Sequence, residues 1–186
     1  CLRLNWLPCW PQSGKTTVFT HFNRANVMYQ IIPIQARHDA DICRIIQQVG
    51  AQYGAVGEGF GPADAEVRCM SQHYLTENRS QYLVALLAGQ VVGGAGIAPF
   101  VHYTEICELK KLFLLPSSQG LGIGKALTQA CLTFAIEQGY QQCYLDTLSS
   151  MQTAIALYEQ LGFKHLKQPL AGTVHSGCDV WMLKAL

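Results

Sequence analysis

Three glycines within five positions, Gly120, Gly122 and Gly124, constrain this chain more than any other feature because of what flanks them. Before them runs an apolar, strand-like segment, Leu109-Lys110-Lys111-Leu112-Phe113-Leu114-Leu115-Pro116. After them the apolar positions Ile123, Ala126, Leu127, Ala130, Cys131, Phe134 and Ala135 recur at the three-to-four spacing of one buried helical face. Gly139 stands where a left-handed residue would close that helix. A glycine-rich turn directly before a helix start leaves backbone N–H groups outward with no side chain in the way, which makes a cradle for an anion. A merely tight turn, or a generic nucleotide loop, would use the same glycines. The flanking motifs decide between these readings.

Gln119-x-x-Gly122-x-Gly124 resembles the Gln/Arg-x-x-Gly-x-Gly/Ala signature of the GNAT superfamily of N-acetyltransferases. Downstream, Ala154-Ile155-Ala156-Leu157-Tyr158-Glu159-Gln160-Leu161-Gly162-Phe163 resembles the Ala-x-x-Leu-Tyr-Glu-x-x-Gly-Phe segment of the same superfamily. The resemblance implies an acetyl-CoA-dependent transferase in which the strand before the loop and the next parallel strand splay apart around the pantetheine arm. Leu112, Phe113 and Leu114 would then hold the arm through their backbone. Gln119, Gly120, Leu121, Gly122, Ile123, Gly124 and Lys125 would hold the pyrophosphate. In many relatives an Asn that touches CoA stands seven residues before the tyrosine; this chain has Met151.

The remaining segments fit an α/β fold of that kind. Strands are expected over Tyr29–Ile34, Tyr82–Leu87, Val91–Ala98, Ile106–Leu115, Gln142–Thr147, Lys164–Gln168 and Cys178–Leu183. Helices are expected over Asp39–Gly50, Ala63–Asn78, the stretch after the glycine loop, and Met151–Leu161. Ala88-Gly89-Gln90 reads as a hairpin turn, whereas Gln142–Thr147 follows a crossover helix and should run parallel to its neighbour. The result is a mixed, mostly antiparallel sheet of about seven strands with about four helices and a central splayed parallel pair. Residues 28–186 are read as one domain. Residues 1–27 carry neither period and are read as an N-terminal extension or a non-native leader. Tyr53 to Pro62, with its alternating glycines, is read as a mobile loop; no strand precedes it, so it is no dinucleotide fingerprint.

Acetyl transfer to an amine requires the acceptor to lose a proton, because an alkylammonium of pKa about 10 is not a nucleophile at neutral pH. A carboxylate is therefore needed. Glu108, eleven residues before Gln119, stands where histone-acetylating members of the superfamily carry their base. By the period of two it should share a face with Lys110, Leu112 and Leu114, and its alternative role is an ion pair with Lys110 or Lys111. Asp146 on the adjacent strand is the second candidate, matching the base of ribosomal-protein acetyltransferases, and Glu105 is the third. Tyr158 aligns with the family's general-acid tyrosine, which protonates the departing CoA thiolate; a core tyrosine would satisfy the same helix face. His175 and Cys178 could contact the acceptor or serve a metal, but two ligands without a clear third do not make a zinc site, and no metal is expected. His73 is read as a surface or core residue before a substrate contact.

Composition narrows the partners. Thirteen basic against twelve acidic residues leave no basic face for nucleic acid or anionic lipid. The longest apolar run, Val91 to Val101, is short and broken by Gly93, Gly94, Gly96 and Pro99, so no membrane span is expected. The eight cysteines include no Cys-x-x-Cys pair and read as free thiols of a reducing cytosol, which places the protein in the cytoplasm. Ser13-Gly14-Lys15-Thr16 lacks the glycine of a Walker loop, since Cys9 stands there. The expected partners are acetyl-CoA and a small amine or peptide acceptor, with a homodimer left open. The rival reading is a non-catalytic acyl-CoA-binding module with the same fold.

Overall fold

The computed structural model describes residues 19–22 and 28–186. The other leading residues, including the Ser13–Thr16 tetrad and most of the stretch read as an N-terminal extension or leader, lie outside the described residues. In chain order the elements are β1 (Phe19–Phe22), β2 (Met28–Pro33), α1 (Asp39–Gln52), the single turn α2 (Met70–His73), β3 (Gln81–Leu87), β4 (Gln90–Pro99), β5 (Ile106–Leu114), α3 (Ile123–Glu137), β6 (Gln142–Thr147), α4 (Gln152–Gln160), β7 (Lys164–His165) and β8 (Val180–Ala185). The strands form one sheet in the order β1-β2-β3-β4-β5-β6-β8-β7. Among the described strands only β5 and β6 run parallel. The eighth strand is β1, a four-residue edge piece paired to β2 in a stretch too short to show a period.

Alternation along the strands gives the sheet two apolar faces. Ile31, Leu83, Ala85, Cys107, Leu109, Cys143 and Leu145 meet the buried stripe of α3 and Tyr158 of α4. Ile32, Tyr82, Val84 and Phe113 meet Ile42, Ile45, Ile46 and Val49 of α1 on the other side. Helix α3 ends at a closed C-terminal motif: Gly139 has φ +78°, its N–H donates to the Ile136 carbonyl, and the Tyr140 N–H donates to Ala135. Ala88 and Gly89 both take positive φ, the tight turn that matches the twist of β3 and β4.

Three departures from the sequence reading matter for the site. The first is a bulge. Gly94 pairs with Phe113 and Gly96 with Lys110, so β5 carries an extra residue, and Lys111 has φ +54°. Lys110 and Lys111 consequently reach the same side, and the alternation reverses beyond them. Leu112 and Leu114 pack with Leu109, on the face opposite Glu108, and not with Glu108 as a regular strand requires. The second is the segment expected as a long helix over Ala63–Asn78, which is a chain of short turns around α2. Asp64 (ψ 139°) and Cys69 (φ −147°, ψ 52°) depart from helical geometry, and the segment brings the Asp64 and Glu66 carboxylates to the lysines of β5. The third concerns the last strand, which starts at Val180; Asp179 is instead committed to the loop, accepting from the Ser149 N–H and hydroxyl at 2.7 Å each.

The bulge is held by Tyr82, whose hydroxyl donates to the Lys111 carbonyl at 2.9 Å. Its ring lies on Gly94 and Gly96, where a Cβ would come within 2.6 Å of ring carbons. Replacing Tyr82 by Phe should lower stability by roughly 1–3 kcal/mol, the cost of removing a donor from a buried carbonyl. Urea unfolding would show this as a lower midpoint with an unchanged slope. Gly94→Ala should cost at least as much, since the ring has no room to retreat.

Candidate active site

The parallel pairing of β5 with β6 covers only Ile106–Glu108 against Gln142–Tyr144. Beyond Glu108 the two strands part. A cleft of about 420 Å³ opens there, lined by Leu112, Phe113 and Leu114 of β5, by Gln119, Gly120, Gly122, Ile123, Gly124 and Lys125, and by Met151, Ala154 and Leu157 around α4. Of the residues expected to hold the cofactor, only Leu121 is absent from this lining; it packs on the core below. Gly122 is the N-cap of α3 with φ +80°, and no side chain caps the helix. The first-turn N–H groups are therefore available at the cleft, with the partial positive charge of the helix end behind them. Gly124 faces Leu114 and Leu157, at 3.2 and 3.6 Å from where a Cβ would sit, so a larger residue there would narrow the cleft.

A second, smaller chamber of about 70 Å³ adjoins the cleft, sharing Leu112, Phe113 and Met151 with it. Its walls include Phe60 and Gly61 from the loop after α1, Lys110 and Lys111 from the bulge, Asp146, Tyr158, His175 and Cys178. Two loops meet over it: the Gly177 N–H donates to the Gly59 carbonyl at 3.1 Å, and the Phe60 ring occupies the space a side chain at Gly177 would need.

The charged groups here form one network. His175 Nδ1 lies 3.0 Å from Asp146 Oδ2, and its Nε2 lies 3.1 Å from Asp64 Oδ2. Lys111 Nζ donates to Asp64 at 2.6 Å and lies 2.8 Å from Glu66, which also accepts from the Tyr74 hydroxyl at 3.1 Å and pairs with Lys110 at 3.5 Å. Burial alone would lower the His175 pKa, but the hydrogen bonds to Asp146 and Asp64 prevail and raise it to about 9. Burial would raise Asp64; His175 and Lys111 instead hold it well below the usual carboxylate range.

Glu108 is different. It is 7% exposed and makes no hydrogen bond or ion pair among the described residues, while its carboxylate lies within 4.8 Å of both Asp146 and His175. Burial raises its pKa, with Lys110 opposing and the Asp146 charge adding to the rise. The ion pair that was the alternative for Glu108 does not form, because both lysines turn to Glu66 and Asp64. Asp146 is engaged by His175 and, at 3.6 Å, by the Cys178 thiol, and Glu105 is exposed beside the Thr104 hydroxyl. The Tyr158 hydroxyl has no partner among the described residues, and burial raises its pKa. Glu108, Asp146 and His175 could together offer three metal-ligand atoms, but both nitrogens of His175 already face carboxylates, which suits an imidazolium better than a ligand. His73 is exposed. Sequence reasoning missed Asp64 and Glu66. The available signal was the Lys-Lys pair in a buried strand opposite glycines 93, 94 and 96, which marks a bulge whose cations need carboxylates.

Comparison with known proteins agrees with this architecture. The Acetyltransferase (GNAT) family model matches residues 51–163. The uncharacterized N-acetyltransferase YjgM of Escherichia coli K12 is 41% identical over 147 residues, covering 78% of this chain and 87% of that protein. Among solved structures, a GNAT-family acetyltransferase from Staphylococcus aureus superposes with a TM-score of 0.74 at 19% identity, over 85% of this chain and 99% of that one. The putative acetyltransferase yncA of Salmonella typhimurium, solved with its cofactor acetyl-CoA, superposes with a TM-score of 0.69 at 21% identity, over 85% and 94%. With its splayed strands, its glycine loop and these relatives, the chain belongs to the GNAT family of acyl-CoA-dependent N-acetyltransferases.

Proposed function

We propose that the protein transfers the acetyl group of acetyl-CoA directly to a primary amine of a small molecule, an amino acid or a peptide terminus, with no covalent enzyme intermediate. The observation that carries this reading is Glu108: a buried carboxylate without a protein partner, at the point where β5 and β6 part, beside the chamber that Tyr158 lines. The large cleft receives the pantetheine arm along Leu112–Leu114 and the pyrophosphate at Gly120–Lys125. Glu108 takes one proton from the acceptor ammonium, and the freed amine attacks the thioester carbonyl. The nitrogen then loses a second proton to water, the C–S bond breaks, and the departing sulfur takes the Tyr158 hydroxyl proton, which solvent replaces. The raised pKa of Glu108 strengthens it as a base, and that of Tyr158 keeps the phenol protonated until the thiolate forms. Asp146 does not compete for the base role in this scheme: it is committed to His175.

No described helix is long and apolar enough to cross a membrane. The free cysteines of the interior, Cys107, Cys131 and Cys143, support the reading of a cytoplasmic protein.

Glu108→Gln should retain acetyl-CoA binding and lose roughly two to four decades of turnover, the usual share of a general base, with the loss easing at high pH where free amine is abundant. Normal turnover in this variant beside a dead Asp146→Asn would move the base to β6. Gly122→Val should abolish the rise in Tm that acetyl-CoA produces by mass action, since a β-branched residue cannot adopt φ +80° without strain. Stability should also depend on pH through His175. Its folded pKa is raised to about 9 from 6.5, so its contribution is complete below about 6.5 and lost as pH rises through 9. A pH series of Tm should show that decline, and His175→Gln should flatten it.

A further inference from the structure

The network contains one carboxylate that behaves unlike the others. Asp64 meets Lys111 and His175 through a single oxygen, Oδ2, at 2.6 and 3.1 Å. Its side chain is 31% exposed, against 2% for Lys111 and 7% for His175. Like Glu66, it is delivered from outside the sheet, by the connection after α1 in which Gly54, Gly57 and Gly59 take positive φ. Lys111 and His175 both line the small chamber. With Asp64 withdrawn, Lys111 keeps Glu66 and His175 keeps Asp146, and each cation retains one free donor directed to the same point.

Charge balance is compatible with this. Asp64, Glu66, Glu108 and Asp146 stand against Lys110, Lys111 and His175, so the closed site is short of one cation. A simple ammonium balances it with Asp64 in place, and a zwitterion balances it with Asp64 withdrawn, the carboxylate then on Lys111 and His175 and the ammonium toward Glu108. Reach permits the arrangement. The amine and carboxylate oxygen of an α-amino acid are roughly 3 Å apart, given bonds of about 1.5 Å, a hydrogen bond at each end adds about 3 Å more, and the Glu108 carboxylate lies within 4.8 Å of one ring nitrogen of His175.

We propose that Lys111 Nζ and His175 Nε2 form a carboxylate subsite for the acceptor, which Asp64 occupies when the acceptor is absent, and that the acceptor is a small free α-amino acid. This rests on the acetyl-transfer reading and selects one class among its acceptors. A peptide terminus offers an amide where the subsite calls for a carboxylate, and an unsatisfied pair of buried cations disfavours it.

The test compares matched acceptors that differ only at the carboxyl group: glycine, alanine, serine and aspartate against their α-carboxamides, with acetyl-CoA and the full chain. The amino acid should exceed its amide in kcat/KM by roughly tenfold or more, the discrimination of one charge-assisted hydrogen bond, with most of the difference in KM. Asp64→Asn should lower KM for the acid severalfold and widen the ratio; His175→Gln should collapse the ratio. Amides accepted as well as acids would overturn the proposal. So would Asp64→Asn raising KM for acid and amide alike, which would make Asp64 a holder of the ammonium. A binding measurement separates failure here from failure of acetyl transfer itself. With CoA present, N-acetylalanine should raise Tm and N-acetylalaninamide should not, whether or not any amine turns over. Equal or absent shifts with both would reject the subsite.

Discussion

The bond from the Tyr82 hydroxyl to the Lys111 carbonyl fixes the geometry on which the rest of the site depends. A fully buried phenol can cross the sheet only where the strands it passes carry no side chains, and Gly94 and Gly96 provide that path. Its reward is a stabilised left-handed residue, Lys111, which a regular strand would exclude. The extra residue shifts every later side chain of β5 by one face. Glu108, before the bulge, keeps the face opposite Leu109, while Leu112 and Leu114 beyond it turn to the α3 side, where they line the large cleft. Without the bulge the cleft would be lined differently and only one of the two lysines would reach Glu66.

Two adjacent lysines at the middle of a sheet are an electrostatic problem, and the segment between α1 and β3 solves it. Lys111 is 2% exposed at its side chain, and a buried ammonium is tolerated only when paired and hydrogen-bonded. Asp64 and Glu66 supply that pairing by abandoning helical geometry. Helix propensity is worth tenths of a kcal/mol per residue, whereas an unpaired buried charge costs several. The comparison explains why a segment whose buried positions, Val67, Met70 and Tyr74, carry helical spacing folds into short turns instead. It also ties the acceptor side of the protein to the sheet through the same pair of residues.

Local patterns were legible in the sequence and distant pairings were not. The α3 helix, its Gly122 start and its Gly139 stop lie within one contiguous stretch, and periodicity with turn chemistry defines them. The splayed parallel pair followed from the resemblance and from the crossover helix. Glu108, Tyr158 and the glycine loop were named from motifs; the loop lines the large cleft and Tyr158 the small chamber, while Glu108 lines neither and lies within 4.8 Å of Asp146 and His175 in the chamber wall. Asp64 was not foreseeable in this way, because its partners lie 47 and 111 residues away and no period connects them. The face of Leu112 was misread because a period of two assumes an unbroken ladder. His175 and Cys178 were seen as a pair of ligands lacking a third. What they join is a carboxylate, Asp146, which His175 Nδ1 meets at 3.0 Å and the Cys178 thiol at 3.6 Å.

Glu108 and Asp146 show how environment separates two carboxylates of similar intrinsic acidity. They sit on neighbouring strands and within 4.8 Å of the same imidazole. Asp146 receives His175 on both oxygens and a thiol besides, so its charge is already compensated and a proton arriving there would break bonds that exist. Glu108 receives nothing from the protein, and burial with the nearby Asp146 charge raises its pKa. Protonating it breaks no bond. Of the two carboxylates, one has unspent lone pairs and a raised pKa, and the other holds the His175 ring in place. The Lys110 charge opposes the rise at Glu108. The bulge turns both lysines to Glu66 and Asp64, so the same distortion of β5 that sets the lining of the large cleft leaves the Glu108 carboxylate without an ion pair.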